Sequence, residues 1–227
     1  LSWRSVRLIS RLERTLFRKT GRYYMSGPLT RSYSQLCFVL HGYGQLASYF
    51  IRKFQLPELE KVLFVAPEGM HRFYLPENKE RVGASWMTKE DRLNDIADYC
   101  CMLDQVYEEV LNKMDKPPTI GLLAFSQGVA TACRWLAHSA HPFDYMVNWA
   151  GAFPPDLDFK AALERMRKLP LYMVAGTGDE FISEERLEEH LAFLKEKGFQ
   201  LQLTRFKGGH TILPDTLLEV MQKLLSP

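Results

Sequence analysis

The sequence predicts an α/β fold, with a mostly parallel central sheet and helices on both faces. Short, continuous apolar runs such as Val62–Ala66 and Ile120–Phe125 have the length of strands buried on both sides. Amphipathic helical patterns alternate with them, which is the order a parallel sheet needs for its crossovers. One apolar run also passes straight into a small-residue helix through Ala124-Phe125-Ser126-Gln127-Gly128. A strand-to-helix turn that tight crowds its own backbone, and small residues two before and two after its apex relieve the crowding.

The elements follow in order. Arg22–Met25 and Leu36–Leu40 read as strands separated by Gly27-Pro28, Ala47–Phe54 as a short helix and Val62–Ala66 as a strand. Residues 67–87 read as a long loop rich in aromatic and charged residues. Asp91–Met114 is the clearest helix, with Ile96, Cys100, Leu103, Tyr107 and Val110 on one face. Thr88 and Asp91 resemble a capping box at its start, and Pro117-Pro118 stop the chain before the next strand. Then come Tyr145–Trp149 as strand, Leu157–Arg167 as helix and Leu171–Ala175 as strand. Ser183 caps a helix to Lys197, closed by Gly198. Gln200–Phe206 is the last strand, and Pro214 opens a terminal helix.

The 227 residues suffice for one large core. Residues 19–227 read as a single domain, with no repeat, low-complexity tract or linker to divide them. The net charge of +2 is unevenly placed: residues 1–19 hold six basic groups against Glu13 alone. The remainder has 23 basic and 26 acidic residues, about −3, which argues against a nucleic-acid partner. No apolar run reaches membrane-spanning length. Cys37, Cys100, Cys101 and Cys133 form no Cys-x-x-Cys pair and read as core hydrophobes in a reducing, cytoplasmic setting.

Residues 1–18 stand apart as a basic amphipathic extension. Trp3, Val6, Ile9, Leu12 and Leu16 recur at helical spacing beside Arg4, Arg7, Arg11, Arg14 and Arg18. Such a segment can lie on a membrane surface or direct organelle import. The reading placed ahead of these is an extension packed loosely on the body, or a stretch included by an ambiguous start.

The chemistry concentrates at the carboxyl ends of the expected strands, where open α/β sheets place their ligands. Ser126 sits at the tight turn, and a serine hydroxyl needs a base to become a nucleophile. Of the six histidines, His210 alone follows a strand through a flexible turn, Lys207-Gly208-Gly209. Leu171–Ala175 runs into Gly176-Thr177-Gly178-Asp179-Glu180, so Asp179 is the candidate to orient that base, with Glu180 as fallback. Each residue has a structural alternative as cap, turn or loop residue; their order, each directly after a strand, favours the joint reading. His41-Gly42-Tyr43-Gly44 supplies glycines that let backbone N–H groups face a cleft. Tyr43 N–H and Gln127 N–H are the expected oxyanion donors. Tyr43, Phe73, Tyr74, Trp86, Trp149, Phe153 and Phe181 lie near strand ends; Phe73, Trp86, Trp149 and Phe181 are selected as the substrate pocket.

Together, Ala-Phe-Ser-Gln-Gly, His-Gly-Tyr-Gly, Gly-Thr-Gly-Asp and Gly-Gly-His-Thr-Ile resemble the α/β-hydrolase fold. More narrowly, they resemble its small phospholipase/carboxylesterase branch, which includes acyl-protein thioesterases. The likeness covers about residues 20–225; Ala124 replaces the first glycine of the turn, and residues 1–18 have no counterpart. It implies a compact serine hydrolase that cleaves carboxylic esters or thioesters, with lysophospholipids as an alternative, and with neither cofactor nor metal; the bulky rings near the strand ends favour small or medium acyl groups. The expected partner is a small ester or thioester, and the chain is expected as monomer or homodimer. The rival from another class is a binding domain that has kept the hydrolase frame without its chemistry.

Overall fold

The computed structural model describes residues 12–114 and 119–225. Seven strands form one sheet in the order β1-β3-β2-β6-β7-β8-β9: β1 (Tyr23–Met25), β2 (Gln35–Leu40), β3 (Val62–Pro67), β6 (Thr119–Phe125), β7 (Tyr145–Trp149), β8 (Leu171–Gly176) and β9 (Leu201–Phe206). Only β1 runs antiparallel, against β3; every other pairing is parallel. The central strands are mainly apolar because both of their faces are covered, with buried Gln35 on β2 and Asn148 on β7 as exceptions. Leu36, Phe38 and Leu40 of β2 enter one core, and Cys37 and Val39 enter the other.

The first core lies beneath α2 (Arg92–Leu111), α3 (Gln127–His138), α4 (Phe159–Met166) and α5 (Glu184–Glu196). The second lies beneath the short helix α1 (Ala47–Phe50) and α6 (Pro214–Leu225). Among the described residues no helix is long and apolar enough to cross a membrane.

The stretch expected as a long loop holds a separate two-stranded hairpin, β4 (His71–Leu75) and β5 (Asn78–Ser85), turning at Pro76-Glu77. Along β4 every second residue is exposed, so the strand follows a half-buried alternation and not a continuous apolar run. The hairpin is fastened to the loop after β2: Gly44 N–H donates to Ala84 O at 2.8 Å and Ala84 N–H to Gln45 O at 3.3 Å.

The expected capping box does not form. Asp91, the residue before α2, adopts a left-handed backbone with φ of 47° and makes no side-chain cap. Its carboxylate instead faces outward to Arg14 and Asn94, while Thr88 Oγ1 accepts from Glu90 N–H. Asp158 and Ser183 do cap α4 and α5 with their side chains.

The basic segment is not helical where it is described. Residues 12–22 are irregular, with Leu12, Leu16 and Phe17 exposed, tethered by Arg14 to Asp91 and by Lys19 to Met70 O. A short helix gains most of its stability from burying an apolar face, and these side chains bury none. Trp3, Val6 and Ile9, and the Pro117-Pro118 stop, lie outside the described residues.

Helix α3 starts hard against the end of β2. A Cβ at Gly128 would stand 2.4 Å from Leu40 O and 2.8 Å from His41 O. We expect Gly128→Ala to push α3 off β2 and cost about 1–3 kcal/mol, as overpacked sites do; the midpoint of urea unfolding would fall accordingly.

Candidate active site

Ser126 occupies the single residue between β6 and α3, with φ of 53° and ψ of −119°. A non-glycine residue at positive φ is strained by about 1–3 kcal/mol. Two constraints hold it there: Ser126 N–H donates to Trp149 O at 2.9 Å, and Gly128 lets the helix begin at once. The strained turn lifts the hydroxyl clear of the sheet edge and directs it at the loop after β9.

That loop carries His210. Its Nε2 lies 2.9 Å from Ser126 Oγ and its Nδ1 lies 2.8 Å from Asp179 Oδ2. A carboxylate accepts and does not donate, so Nδ1 carries the proton and Nε2 is left to accept from the serine hydroxyl. Asp179 is buried and fixed by its other oxygen, which accepts Phe181 N–H at 2.9 Å and Ile182 N–H at 3.2 Å. The imidazole is also gripped by rings: Phe125 at 4.9 Å and Phe181 edge-on at 4.6 Å between centroids. The structure thus brings together three side chains that are 84 and 31 residues from one another along the chain, counted from His210. Glu180, the fallback acid, is exposed and takes no part in this chain of bonds.

The loop after β2 faces the serine. A Cβ at Gly42 would meet Ser126 Cβ at 3.1 Å, so the backbone passes directly beside that serine. Gly42 N–H is taken up by Gln45 Oε1 at 2.9 Å, and Gly44 N–H by the hairpin. Tyr43 N–H and Gln127 N–H donate to no protein acceptor among the described residues.

Several residues that sequence reasoning passed over hold this frame. Gln127 offers more than its N–H: its side chain donates to Ser85 Oγ and to Met87 O, both at 3.0 Å, tying α3 to the end of β5. His41 is fully buried, with Nδ1 2.7 Å from Gly42 O and Nε2 3.0 Å from Gly69 N–H. Glu68, buried against Arg22 at 2.6 Å, accepts Ala47 N–H at 3.1 Å and so fixes the start of α1. A buried acid flanked by basic residues was readable only once β1 was known to pair with β3.

The expected aromatic pocket divides. Phe181 is 63% exposed beside His210, and Phe73 stacks on exposed Tyr43 at 5.1 Å. Trp86 and Trp149 are corrected: both are wholly buried and offer no surface to a substrate. They form the floor beneath the loops. Trp86 stacks on His41 and donates Nε1–H to His41 O at 2.8 Å; Trp149 donates Nε1–H to Thr211 O at 2.9 Å, next to His210. Phe153 is likewise buried, and Tyr74 stands exposed on the hairpin. Among the described residues no group of His, Cys, Asp or Glu is arranged to hold a metal ion.

Residues 32–222 match the family model described as serine hydrolase (FSH1). The chain belongs to the FSH1 serine hydrolase family. The fold of this serine hydrolase is shared by esterase PE8 (TM-score 0.68, 21% identity, covering 91% of this chain and 100% of that one). It is shared too by Zea mays acyl-protein thioesterase 2, at TM-score 0.68 and 19% identity over 90% of this chain and 98% of that one. A phospholipase/carboxylesterase from Dyadobacter fermentans DSM 18053 follows at 0.67 and 17%, covering 93% and 99% respectively. At such identities the likeness is one of fold, an α/β-hydrolase sheet wrapped by helices. No curated protein matches this hydrolase in sequence.

Burial lowers the His41 pKa from 6.5 to about 4, because a charged imidazole there would lose its water. The unfolded chain therefore takes up a proton between those two values that the native state refuses. Stability is fully present above pH 6.5 and declines as the pH falls toward about 4, by roughly 3 kcal/mol for this residue alone. His190, half-buried and also lowered, acts in the same direction. Urea midpoints measured at pH 7 and pH 5 are expected to differ in the wild type, and the difference to shrink in His41→Gln.

Proposed function

We propose that this serine hydrolase cleaves carboxylic esters of small or medium acyl groups through an acyl-enzyme on Ser126. The observation that carries the reading is the single imidazole of His210 within hydrogen-bond reach of both Ser126 Oγ and Asp179 Oδ2. Ser126 attacks the ester carbonyl as Nε2 takes its proton. Asp179 holds the tautomer and balances the imidazolium. His210 then protonates the departing alcohol, and a water activated by the same Nε2 releases the acid and restores the serine.

The oxyanion is assigned to Tyr43 N–H and Gln127 N–H. Their lack of protein acceptors supports that role, since a preorganised donor needs no reorganisation as charge develops. The start of α3 adds a favourable dipole at the same place. Exposed Phe181 and the Tyr43–Phe73 pair supply apolar surface at the rim, which supports acyl groups of limited length. A thioester would follow the same steps with a better leaving group, so preference between the two rests on the leaving-group side. Residues 19–227 are read as one catalytic domain, in support of which a single sheet runs from β1 to β9. Four free cysteines support a reducing, cytoplasmic setting.

A fluorophosphonate probe is expected to label the wild type and not Ser126→Ala. With p-nitrophenyl esters, Ser126→Ala should lower kcat at least about a thousandfold, and Asp179→Asn about a hundredfold to ten-thousandfold through the wrong tautomer. An unlabelled wild type would instead match a binding domain on a hydrolase frame.

A further inference from the structure

A groove of about 550 Å³ opens between α1 and the β4–β5 hairpin. That volume falls within the range of small-molecule sites. The groove begins at Gly44, and its walls include Leu46, Tyr49, Leu75 and Val82. It does not include Ser126 or His210, yet it starts two residues beyond Gly42, whose backbone touches the serine. Two residues of chain span no more than about 7 Å. A substrate held at the serine by its carbonyl therefore needs only a short spacer to place its far end in the groove.

The groove is not simply apolar. Lys53 approaches from the α1 side and Arg81 from the hairpin. Neither makes an ion pair or hydrogen bond among the described residues. The one acid in the lining, Glu80, pairs with neither of them. Arg52 adds a further positive charge at the edge, stacked over the Tyr49 ring at 4.8 Å. Several other exposed arginines are matched by acids, Arg14 by Asp91, Arg31 by Glu60 and Arg205 by Glu184; what sets Lys53 and Arg81 apart is that both line one groove. Two unmatched cations facing one apolar trough are suited to a ligand with an apolar stem and a negative end.

We propose that this groove binds the far end of the substrate and that this end carries a carboxylate. The inference rests on the hydrolase reading for the meaning of the site, but the binding is a property of the groove alone. The stem lies along Leu46, Leu75 and Val82, while the carboxylate sits between the Lys53 ammonium and the Arg81 guanidinium. The substrate class is thereby narrowed from neutral esters to esters bearing a second, free acid group.

The test separates binding from catalysis. Ser126→Ala protein is titrated by calorimetry with octanoate and with octanol, which share a stem and differ at the head. Octanoate is expected to bind at least tenfold more tightly, with an affinity that falls as salt is raised. Adding Lys53→Ala and Arg81→Ala should remove that preference, whereas adding Lys113→Ala on the far side should preserve it. In the active enzyme, p-nitrophenyl hemi-esters of straight-chain dicarboxylic acids should exceed neutral esters of equal length in kcat/KM. That ratio should collapse about tenfold in the double variant.

Equal binding of octanoate and octanol, or octanoate binding unaltered in the double variant, would overturn the groove assignment and leave the hydrolase reading untouched. Absence of fluorophosphonate labelling in the wild type would overturn the hydrolase reading, and the calorimetric result would still decide the groove.

Discussion

The close approach of α3 to the end of β2 is the constraint on which the rest of the site depends. Gly128 removes the one atom that would keep helix and strand apart, and Ser126 absorbs the cost in a positive φ. A strain of about 1–3 kcal/mol is affordable only where neighbours over-determine the geometry. They do so here: β7 takes the Ser126 N–H, and the Gln127 side chain is locked to Ser85 and Met87. With the turn fixed, the hydroxyl, the helix N-terminus and the loop after β2 fall into register without further adjustment.

Around that turn the molecule is built in two tiers. The lower tier is apolar and fully buried, and its two tryptophans each spend their only polar atom on a loop carbonyl, one at His41 and one at Thr211. A buried indole N–H left unpaired would cost about 1–3 kcal/mol, so these bonds fix ring and loop together. The upper tier consists of the loops themselves, and its polar groups face the cleft. His41 connects the tiers as a neutral imidazole that bridges Gly42 O and Gly69 N–H.

The sheet was legible in the sequence because strands buried on both sides read as nearly continuous apolar runs, as in Val62–Ala66 and Ile120–Phe125. The order Ser126, Asp179, His210 was legible because each residue follows a strand pattern, mainly apolar before Ser126 and Asp179 and mixed along Leu201–Phe206 before His210. The hairpin was not, since its strands face water on one side and mix Arg72, Glu80 and Arg81 with their apolar residues. Trp86 and Trp149 were misread for a related reason: a large ring near a strand end is equally consistent with wall and with floor, and sequence does not say which way it points. The helical spacing of Leu12 and Leu16 failed because periodicity describes a face without supplying a surface to bury it.

The attachment of the hairpin has a consequence of its own. β5 meets the loop after β2 through main-chain groups, Gly44 with Ala84 and Ala84 with Gln45, and among the described residues of β4 only Phe73 adds a ring contact, to Tyr43. The exposed side chains farther out on the hairpin, such as Tyr74 and Arg81, consequently take no part in placing the backbone that passes beside Ser126. Those positions can therefore change in size or charge while the turn at Ser126 and the loop beside it keep their geometry, much as a lock may be re-pinned without rebuilding the door.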